Sequence, residues 1–370
     1  MFTVFTHVAH NIKDDTKISA YAPYVREMNI WFKHVDNVTV YGCINQNKSS
    51  RIIESYKSSN LKFKSLKSFD LLSVKGIVRS FWSVPKNLTQ IWKGMKSSDH
   101  IHLRCPGNIG LLACIVQIFF PSIKKTAKYA GNWDPSSKQP WSYRLQKWIL
   151  SNTLLTRNIK VLVYGDWENQ TKNILPFFTA SYPRELTFLN VEKSYNSSEI
   201  NFIFVGALVD GKQPHKAIDV FAQLNEFFDH CKMNFYGEGP LLDSLIKYSL
   251  DLGLSDKIIF NGGVNQETLI EAYQKSHYLL FMSKSEGWPK VVAEAMFWSC
   301  IPVSTTVSCV PFMLGNGERG VLADEVDKAV TQIINIEKSE KREEIGKKAN
   351  EWSRQYTLDK FELEIQKLLD

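Results

Sequence analysis

The sequence predicts an α/β protein built from two doubly wound, Rossmann-like domains. Short apolar runs with strand composition alternate with helical segments along the chain, which is the pattern of parallel sheets covered by helices on both faces. The length of 370 residues also exceeds the usual size of one domain. The alternation breaks at 181–199, a Tyr-, Pro-, Asn- and Ser-rich stretch that we expect to connect the domains. The expected domains are therefore 1–180 and 200–350, followed by a C-terminal helix at 351–370.

In the first half, apolar runs of strand length are separated by longer runs of helical length. The predicted strands are 2–8, 38–42, 101–103, 126–130 and 160–164. The predicted helices are 18–32, 109–120 and 141–151. The nearly apolar run 109–120 is too short to span a bilayer, so we expect a helix buried against the sheet. Dipping into a membrane surface is the alternative, because Lys124, Lys125 and Lys128 follow this run.

In the second half, three successive predicted strands end in glycine directly before a helical segment. The strands are 201–205, 233–236 and 257–261, and the glycines that follow them are Gly206, Gly237 and Gly262. Helices are predicted at 215–228 and from Leu241. Because doubly wound sheets bind ligands at the carboxyl ends of their strands, we expect a ligand site at these glycines.

Two carboxylates, Glu286 and Glu294, lie at a predicted junction of strand, loop and helix. The apolar run 278–282 predicts a buried strand, and Pro289 suits the first turn of a helix, so Glu286 belongs to the loop and Glu294 to the helix. The helix N-terminus suits a diphosphate, and ionised carboxylates accept hydrogen bonds from sugar hydroxyls. The alternative is a helix-capping Glu286 and a solvated Glu294.

The stretch 202–322 resembles glycosyltransferase family 4, a group of retaining enzymes with the GT-B fold. The motifs that carry the resemblance follow the order and approximate spacing of the family: Val205-Gly206, Lys212, Gly237-Glu238-Gly239-Pro240, Gly262-Gly263-Val264 and Glu286-x7-Glu294. The resemblance implies that the two domains face each other across a cleft and that the last helix crosses back to the first domain. It also implies a nucleotide-diphosphate sugar, with UDP or GDP, as the donor, and no cofactor.

The resemblance assigns roles to individual residues of the second domain. It implies that Glu286 contacts the donor sugar, Glu294 the ribose and Lys212 the diphosphate, while the segments at Gly239 and Val264 contact the base. Glu286 and Lys212 are thus the expected catalytic residues. The remaining expected donor-binding residues are Gly206, Gly237, Pro240, Gly263, Ser285, Gly287, Trp288 and Pro289.

The sequence departs from the family pattern at two places. Ala207 stands where the family usually has an arginine that contacts the leaving diphosphate, and Arg104 and Lys284 are candidate replacements. Ser308-Cys309-Val310-Pro311 stands where a Gly-Gly pair is frequent. The chain also contains no Asp-x-Asp, the metal-binding motif usual in the GT-A class, so we expect catalysis without a metal.

In the first domain, three polar segments at the ends of predicted strands are candidate acceptor-binding loops. They supply His10, Arg104, Asn132 and Trp133, of which His10 and Arg104 would hold a phosphate and the other two a sugar. The alternative for a lone histidine is a core or surface residue satisfied by the backbone. The family's usual histidine near Gly131 and Asn132 is absent, so the group that assists the acceptor hydroxyl stays open.

Charge is distributed unevenly between the two halves of the chain. Residues 1–150 hold 22 Lys and Arg against 8 Asp and Glu, a net charge of +14, whereas residues 201–370 hold 18 against 25, a net charge of −7. A basic first half favours an anionic membrane surface or a phosphate-bearing substrate. Nucleic acid is not an expected partner, because the sequence lacks a zinc-finger spacing, an RRM signature and a basic helix.

The cysteines and the first residues of the sequence favour a cytoplasmic protein. The six cysteines lie far apart without metal-ligand spacing, and residues 1–7 predict a strand and not a signal peptide. We therefore expect a cytoplasmic location, with peripheral association at the inner face of the cell membrane.

The expected function is retaining transfer of a sugar to a glycan hydroxyl, on a lipid-linked acceptor in surface polysaccharide biosynthesis. A GT-B-like nucleotide-sugar epimerase and a non-catalytic donor-binding subunit are alternatives. A nicotinamide-dependent oxidoreductase is disfavoured, since the Gly237 motif lacks the third glycine of G-x-G-x-x-G.

Overall fold

The structure is a computed structural model that describes residues 1–12, 18–45, 53–69, 74–191, 193 and 199–370, with residues 74–81 described by their backbone alone. These residues form two compact units. The first unit consists of Met1–Phe177 together with Glu362–Asp370, and the second consists of Phe178–Phe361. Part of the predicted connection, residues 192 and 194–198, lies outside the described residues.

The first unit contains a mainly parallel sheet. Its described strands are β1 (Phe2–Ile12), β2 (Ile18–Tyr21), β3 (Val38–Ile44), β4 (Ile53–Ser55), β5 (Leu61–Leu66), β6 (His100–Cys105), β7 (Lys124–Tyr129), β8 (Ile159–Tyr164) and β9 (Ile174–Phe177). Seven of them are parallel in the order β5-β3-β1-β6-β7-β8-β9, while β2 pairs antiparallel with β1, and β4 pairs antiparallel with β2. The helices are α1 (Ala22–Phe32), α2 (Val74–Lys96), α3 (Asn108–Val116) and α4 (Trp141–Ser151).

The start of the chain differs from the predicted pattern in two ways. Strand β1 continues to Ile12 through a register shift between Phe5 and Ala9, so His10 lies in a strand and not in a loop. The helix predicted from residue 18 begins at Ala22, because Ile18–Tyr21 pairs with the end of β1 and Pro23 starts the helix. The apolar pattern was right in both segments, but sheet pairing extended the strands.

The apolar helix α3 is buried, as the default expectation had it. Leu111, Leu112 and Cys114 on α3 are buried in the first unit. Lys125 and Lys128, which were expected to follow a membrane-dipping helix, are themselves buried in β7. Helix α3 therefore does not present its apolar side chains to a membrane, although Phe119, which follows it within the same run, is exposed.

The second unit has the strand order of a classical dinucleotide-binding fold. Its strands are β10 (Ile200–Val205), β11 (Cys231–Tyr236), β12 (Ile258–Phe260), β13 (Tyr278–Phe281), β14 (Ile301–Ser304) and β15 (Val321–Leu322). They are all parallel in the order β12-β11-β10-β13-β14-β15, which is the 3-2-1-4-5-6 order. The strand order reverses between β10 and β13, where such sheets bind ligands.

Helices cover both faces of the second sheet and end the chain. They are α5 (Pro214–Phe227), α6 (Leu242–Asp251), α7 (Gln266–Lys275), α8 (Lys290–Phe297), α9 (Val310–Met313), α10 (Val326–Lys338), α11 (Arg342–Ser353) and α12 (Leu358–Leu369). The predicted tail helix at 351–370 is thus the end of α11, a break, and α12. Glu362–Asp370 belongs to the first unit, where Glu362 pairs with Lys33 at 2.9 Å. This agrees with a last helix that returns to the first domain.

Stacked aromatic rings in the second unit give its strands a rigid core. The rings of Phe204 and Phe235 stack at 5.0 Å, and those of Phe235 and Phe260 at 4.9 Å, so β10, β11 and β12 are held together by one row of rings. Such pairs add to the free energy of burial. The row fixes the strands whose carboxyl ends carry the glycine motifs.

Candidate active site

The glycines after β10, β11 and β12 extend the sheet beyond its strands. The backbone N–H of Gly206 donates to the carbonyl of Tyr236 at 2.9 Å, and that of Gly237 donates to Gly262 at 2.8 Å. Gly237 has φ +143°, and a Cβ there would lie 1.9 Å from the carbonyl oxygen of Gly206. The three strand ends are therefore packed too closely for a side chain at Gly237.

Gly239 and its neighbours continue this close packing. A Cβ at Gly239 would lie 2.3 Å from the carbonyl oxygen of Leu208. The backbone N–H of Leu208 donates to the backbone carbonyl of Glu238 at 2.9 Å. Gly263 lies beside the Glu238 carboxylate, and Val264 is exposed. Pro240 leads from this turn into α6. The sequence motif thus forms a closely packed backbone platform that ends at the exposed Val264.

Lys212 and Glu286 form an ion pair at the ends of β10 and β13. Lys212 closes a short 3-10 helix, Asp210–Lys212, that follows Gly206. Its ammonium group pairs with Glu286 Oε1 and lies 5.2 Å from the ring centroid of Phe281. The hydroxyl of Ser283 also donates to Glu286. The structure therefore brings together the two side chains that were expected to be catalytic.

Backbone hydrogen bonds hold the Lys212 loop against the Glu286 loop. The N–H of Lys284 donates to the carbonyl of Gly211 at 2.9 Å. On its other side, the Glu286 loop is held by the Thr305 hydroxyl, which donates to the carbonyl of Ser283 at 2.6 Å. Ser285 is exposed in the same loop. The loop that carries Glu286 is thus held by a backbone hydrogen bond on one side and by the Thr305 hydroxyl on the other.

Glu294 lies inside α8 and accepts hydrogen bonds from two other elements. The hydroxyl of Ser181 donates to its Oε1 at 2.5 Å, and the hydroxyl of Tyr273 to its Oε2 at 3.4 Å. Burial, with the Glu294 charge as a further cause, raises the pKa of Tyr273 well above its ordinary value. Pro289 occupies the N-cap position of α8 without a side-chain cap. Glu294 is therefore not a solvated helix residue, and Glu286 is not a helix cap.

Gly287 and Trp288 connect the Glu286 loop to the rest of the second unit. Trp288 is buried, with its ring 6.3 Å from that of Trp352 and 5.9 Å from that of Tyr356. The carbonyl of Gly287 accepts from the hydroxyl of Ser308 at 3.0 Å. Ser308 has φ +52°, a left-handed backbone conformation that glycine adopts more easily than serine. The serine supplies the hydroxyl that holds the loop.

His10 and Arg104, two of the acceptor candidates, are buried in the first unit. His10 Nε2 lies 2.7 Å from the Tyr56 hydroxyl, and its Nδ1 lies 2.8 Å from the carbonyl oxygen of Val8. Burial lowers the pKa of His10 to about 4. Arg104 pairs with the buried Glu27, and its guanidinium lies 5.3 Å from the ring centroid of Tyr24. The structure therefore satisfies both side chains from within the first unit, as the alternative for His10 had it.

Asn132 and Trp133, the other two candidates, lie in the turn after β7. Trp133 is 3% exposed, donates to Gln170 at 3.0 Å, and meets the Tyr129 ring edge-on at 4.8 Å. Asn132 is partly exposed, and its side-chain oxygen accepts from the N–H of Asp134 at 2.9 Å. A role for Trp133 as a stacking platform stays a prediction that this packing disfavours.

A cavity of about 250 Å³ in the first unit lies near these candidates. It is lined in part by His7, at the register shift of β1, and by Gly107 and Asn108, at the start of α3. Tyr143 of α4 also contributes to the lining. Two of the three polar segments predicted as acceptor-binding loops, 7–11 and 104–108, supply part of this lining through His7, Gly107 and Asn108.

Comparison with known proteins identifies the second unit. Residues 189–352 match the family model described as Glycosyl transferases group 1. The matched residues make up most of the second unit and less than half of the chain. The motifs of Gly206, Lys212, Gly237, Glu286 and Glu294 all lie within the matched residues.

Curated proteins that are similar to part of this chain are named as transferases or synthases. N-acetyl-alpha-D-glucosaminyl L-malate synthase of Bacillus anthracis is 24% identical over 185 residues, which cover 50% of this chain and 47% of that protein. Capsular polysaccharide biosynthesis glycosyltransferase CapH of Staphylococcus aureus is 28% identical over 121 residues, covering 32% and 34% of the two chains. The chain thus spans about half the length of the first of these relatives and about a third of the second. The domain match and the names of the relatives support a transferase.

Solved structures resemble the entire chain. The lipopolysaccharide outer core galactosyltransferase WaaB, in its apo form, has a TM-score of 0.71 at 13% identity, with 100% of this chain and 99% of that chain covered. Anabaena HepE in complex with UDP-glucose has a TM-score of 0.64 at 14% identity, with 100% and 99% covered. At such identities the likeness shows the fold, which is the predicted GT-B architecture of two Rossmann-like domains.

Some residues that hold the candidate site together were missed by the sequence analysis. Ser181 and Tyr273 bind Glu294, and Ser283 binds Glu286. Ser181 fell within the predicted connection, and Tyr273 lies on a helix outside every motif. No local signal marks them, because each reaches its carboxylate only through the fold.

Proposed function

We propose that the chain is a retaining glycosyltransferase of family 4 that uses a nucleotide-diphosphate sugar as donor and a glycan hydroxyl as acceptor. The observation that carries this proposal is the Lys212–Glu286 ion pair, which lies at the reversal point of a 3-2-1-4-5-6 sheet within the group 1 match. A cation and a carboxylate at that point suit a diphosphate and a sugar hydroxyl, respectively.

In this proposal each part of the donor contacts a different element of the second unit. Lys212 and the N-terminus of α8 bind the diphosphate, Glu286 the sugar and Glu294 the ribose, while the base lies between the segments at Gly239 and Val264. Gly206 and Gly237 let the backbone approach the diphosphate closely. Because HepE is complexed with UDP-glucose, we propose a UDP-sugar as the donor in preference to a GDP-sugar.

Catalysis would rest on stabilising the leaving diphosphate. As the anomeric C–O bond breaks, negative charge grows on the diphosphate and positive charge on the sugar. Lys212 is placed for the first charge, and such electrostatic stabilisation typically contributes about 10²–10³ in rate for each donor. A metal is not part of the proposal, because Lys212 and the helix dipole supply the positive charge and the sequence has no Asp-x-Asp.

A second cation is needed in place of the family arginine at Ala207, and we propose Lys284. Its backbone is hydrogen-bonded to Gly211, next to Lys212, and its side chain is exposed. The other candidate, Arg104, is paired with Glu27 inside the first unit. Lys284 therefore has the better position relative to the Lys212 loop.

The acceptor would be a lipid-linked glycan bound by the first unit. Asn132 and the cavity beside His7 offer polar groups that are open to a ligand. The net charge of +14 in residues 1–150 suits a phosphate-bearing acceptor at the inner face of the cell membrane, where we place the protein as a peripheral, cytoplasmic enzyme. CapH is named for capsular polysaccharide biosynthesis, and we propose surface polysaccharide as the product class here too.

The test is donor consumption and product formation with membrane extract as the acceptor source. Lys212→Ala and Glu286→Gln are expected to lower transfer by about 10²-fold or more while leaving the circular dichroism spectrum and Tm unchanged. Lys247→Ala, at an exposed lysine of α6, is the matched control and keeps full activity. Full activity of both site variants would contradict the mechanism.

Other outcomes of this assay would favour the alternatives. A donor converted to a different nucleotide sugar without acceptor would favour a GT-B-like epimerase. Tight UDP binding without any consumption of donor would favour a non-catalytic subunit, for which the departure at Ala207 is the motivating observation.

A further inference from the structure

Three helices cover one face of the first-unit sheet. Helix α2 connects β5 to β6, α3 connects β6 to β7, and α4 connects β7 to β8, and all three connections run in the same direction along the sheet. Because parallel crossovers are right-handed, these helices lie on the same face. The Trp92 ring of α2 lies 5.6 Å from that of Phe119, directly after α3. Helices α2 and α4 therefore flank α3 on one side of the unit.

The outer side of α2 combines tryptophan with lysine. Trp82 is 75% exposed, and residues 86, 89, 93 and 96 follow it at helical spacing and are all exposed. Three of these four are lysines: Lys86, Lys93 and Lys96. Asn87, Ile91 and Met95 are fully buried on the opposite side. The helix thus has a packed side and a basic, aromatic outer side.

Helix α4 repeats this combination. Trp141 and Trp148 are 48% and 59% exposed, and the exposed Arg144 lies between them at helical spacing. Gln146, Ile149 and Leu150 are buried on the opposite side. Phe119 adds a further ring that is 63% exposed. We call the exposed set the tryptophan face; its residues are Trp82, Lys86, Trp92, Lys93, Lys96, Phe119, Trp141, Arg144 and Trp148.

The tryptophan face carries positive charge that carboxylates do not balance. Neither α2 nor α4 contains Asp or Glu, so both are basic helices and the expectation that the sequence lacks a basic helix was wrong. Within the part of the chain that the structure describes, none of the four cations of the face forms an ion pair, whereas exposed lysines elsewhere do, as in Lys347–Glu343 and Lys348–Glu344. A surface with such charge attracts an anionic partner.

We propose that the tryptophan face docks the protein on an anionic lipid surface. Tryptophan prefers the headgroup boundary of a bilayer, and lysine and arginine near that boundary are attracted by anionic lipids. A second copy of the chain fits less well, because it would bring like charges together. This inference rests on the membrane association included in the proposed function and identifies the surface responsible for it. Its test measures vesicle binding and does not require sugar transfer.

The expected contact is peripheral. Among the described residues, no helix has both the length and the apolar character to cross a bilayer. The apolar side chains of α3 are buried between the sheet and the flanking helices, so the exposed rings of α2, α4 and Phe119 make the contact. The depth of the contact is therefore that of aromatic side chains and not of a helix.

The test is sedimentation of the full chain with vesicles of phosphatidylcholine, alone or mixed with phosphatidylglycerol. Wild type is expected to bind the mixed vesicles and not the neutral ones. Lys86→Glu/Lys93→Glu is expected to weaken binding at least about tenfold, since each basic residue near the surface contributes to attraction. Lys57→Glu/Lys62→Glu, at exposed lysines near β5, makes the same change in net charge away from the face and should retain binding.

A second variant tests the aromatic contribution. Trp148→Ser removes a ring that is 59% exposed and should weaken binding to mixed vesicles severalfold. Equal loss in the two charge variants, no effect of Trp148→Ser, or no binding by wild type would each overturn the proposal. So would a dimer without lipid that Trp148→Ser dissociates. The UDP-induced shift in Tm of each variant measures nucleotide binding separately from vesicle binding. A failure of membrane docking can therefore be distinguished from a failure of the proposed function.

Discussion

His10 is a base that the folded protein keeps neutral. Its imidazole is fully buried between the Tyr56 hydroxyl and the Val8 carbonyl, and burial lowers its pKa from 6.5 to about 4. Burial also lowers the pKa of His100 to about 4. These side chains make the first unit sensitive to acid, because protonation favours the unfolded chain.

The sign of this effect can be predicted for His10. Below pH 6.5 the unfolded chain binds a proton at this residue while the folded chain does not, so stability falls as pH drops and levels off below about pH 4. Between pH 7 and pH 5 the loss is about 2 kcal/mol for one such histidine. Urea unfolding at both pH values should show a correspondingly smaller difference for His10→Gln. A native His10 ring that titrates near pH 6.5 by NMR would contradict this.

For single residues, the sequence predicted which side chains lie together in the candidate site better than it predicted which side chains are paired elsewhere. Lys212 and Glu286 were predicted through the order of motifs, and the structure pairs them. Arg104 and Trp133 were predicted from their position after strands, yet each is satisfied by a neighbour within the first unit: Arg104 by the buried Glu27 and Trp133 by the partly exposed Gln170. Such partners come from distant parts of the chain, and nothing in the local sequence announces them.

The elements of the candidate site are joined by their backbones. The ends of β10, β11 and β12 approach each other through Gly206, Gly237 and Gly262, and hydrogen bonds connect them in series. This arrangement requires that the middle position have no side chain. The stability of the second unit should therefore depend strongly on that one glycine.

Gly237→Ala is expected to reduce the free energy of unfolding by more than about 2 kcal/mol, because its Cβ would overlap the Gly206 carbonyl and its φ is positive. Gly211→Ala is the matched control, since a Cβ there meets nothing within 4 Å. Chemical denaturation of both variants measures the difference. Equal stability of the two would show that the strand ends can separate without cost.

Elements were predictable where the core alone decides the pattern. The run Tyr278–Phe281 is buried throughout, and it was recognised by its continuous apolar composition. Strand β5 was missed because lysines alternate with its apolar residues at an edge of the sheet. Helix α2 was missed because Pro85 and its lysines interrupt the apolar pattern, although its outer side is the most informative surface of the first unit.

In the whole molecule, the candidate active site and the proposed membrane-docking surface lie in different units. The residues matched by the group 1 model, with Glu286 and Glu294 among them, lie in the second unit, whereas the tryptophan face lies in the first. The alternation of strands and helices predicted both sheets. It could not predict that Glu362–Asp370 joins the first unit, which followed from the family resemblance, since packing between distant segments leaves no periodic signal.

Binding of nucleotide to the second unit should stabilise the full chain. We expect UDP to raise Tm with its concentration, and GDP and ADP to have little effect, because a ligand that binds the folded state alone adds about 2.7 kcal/mol at 100 times its Kd. A thermal-shift panel of the three nucleotides measures this. Lys212→Ala should weaken the UDP effect, and equal shifts with all three nucleotides would contradict a uridine-selective site.

The ion pair between Lys212 and Glu286 is an internal competitor of the donor. In the proposed binding mode the diphosphate contacts Lys212 and the sugar hydroxyls contact Glu286, so the donor must take each side chain from the other. A free diphosphate must displace Glu286 without offering it anything in return, whereas a complete nucleotide sugar gives each member of the pair a new partner. The pair therefore sets a threshold that favours the intact donor over the fragments that its own reaction releases.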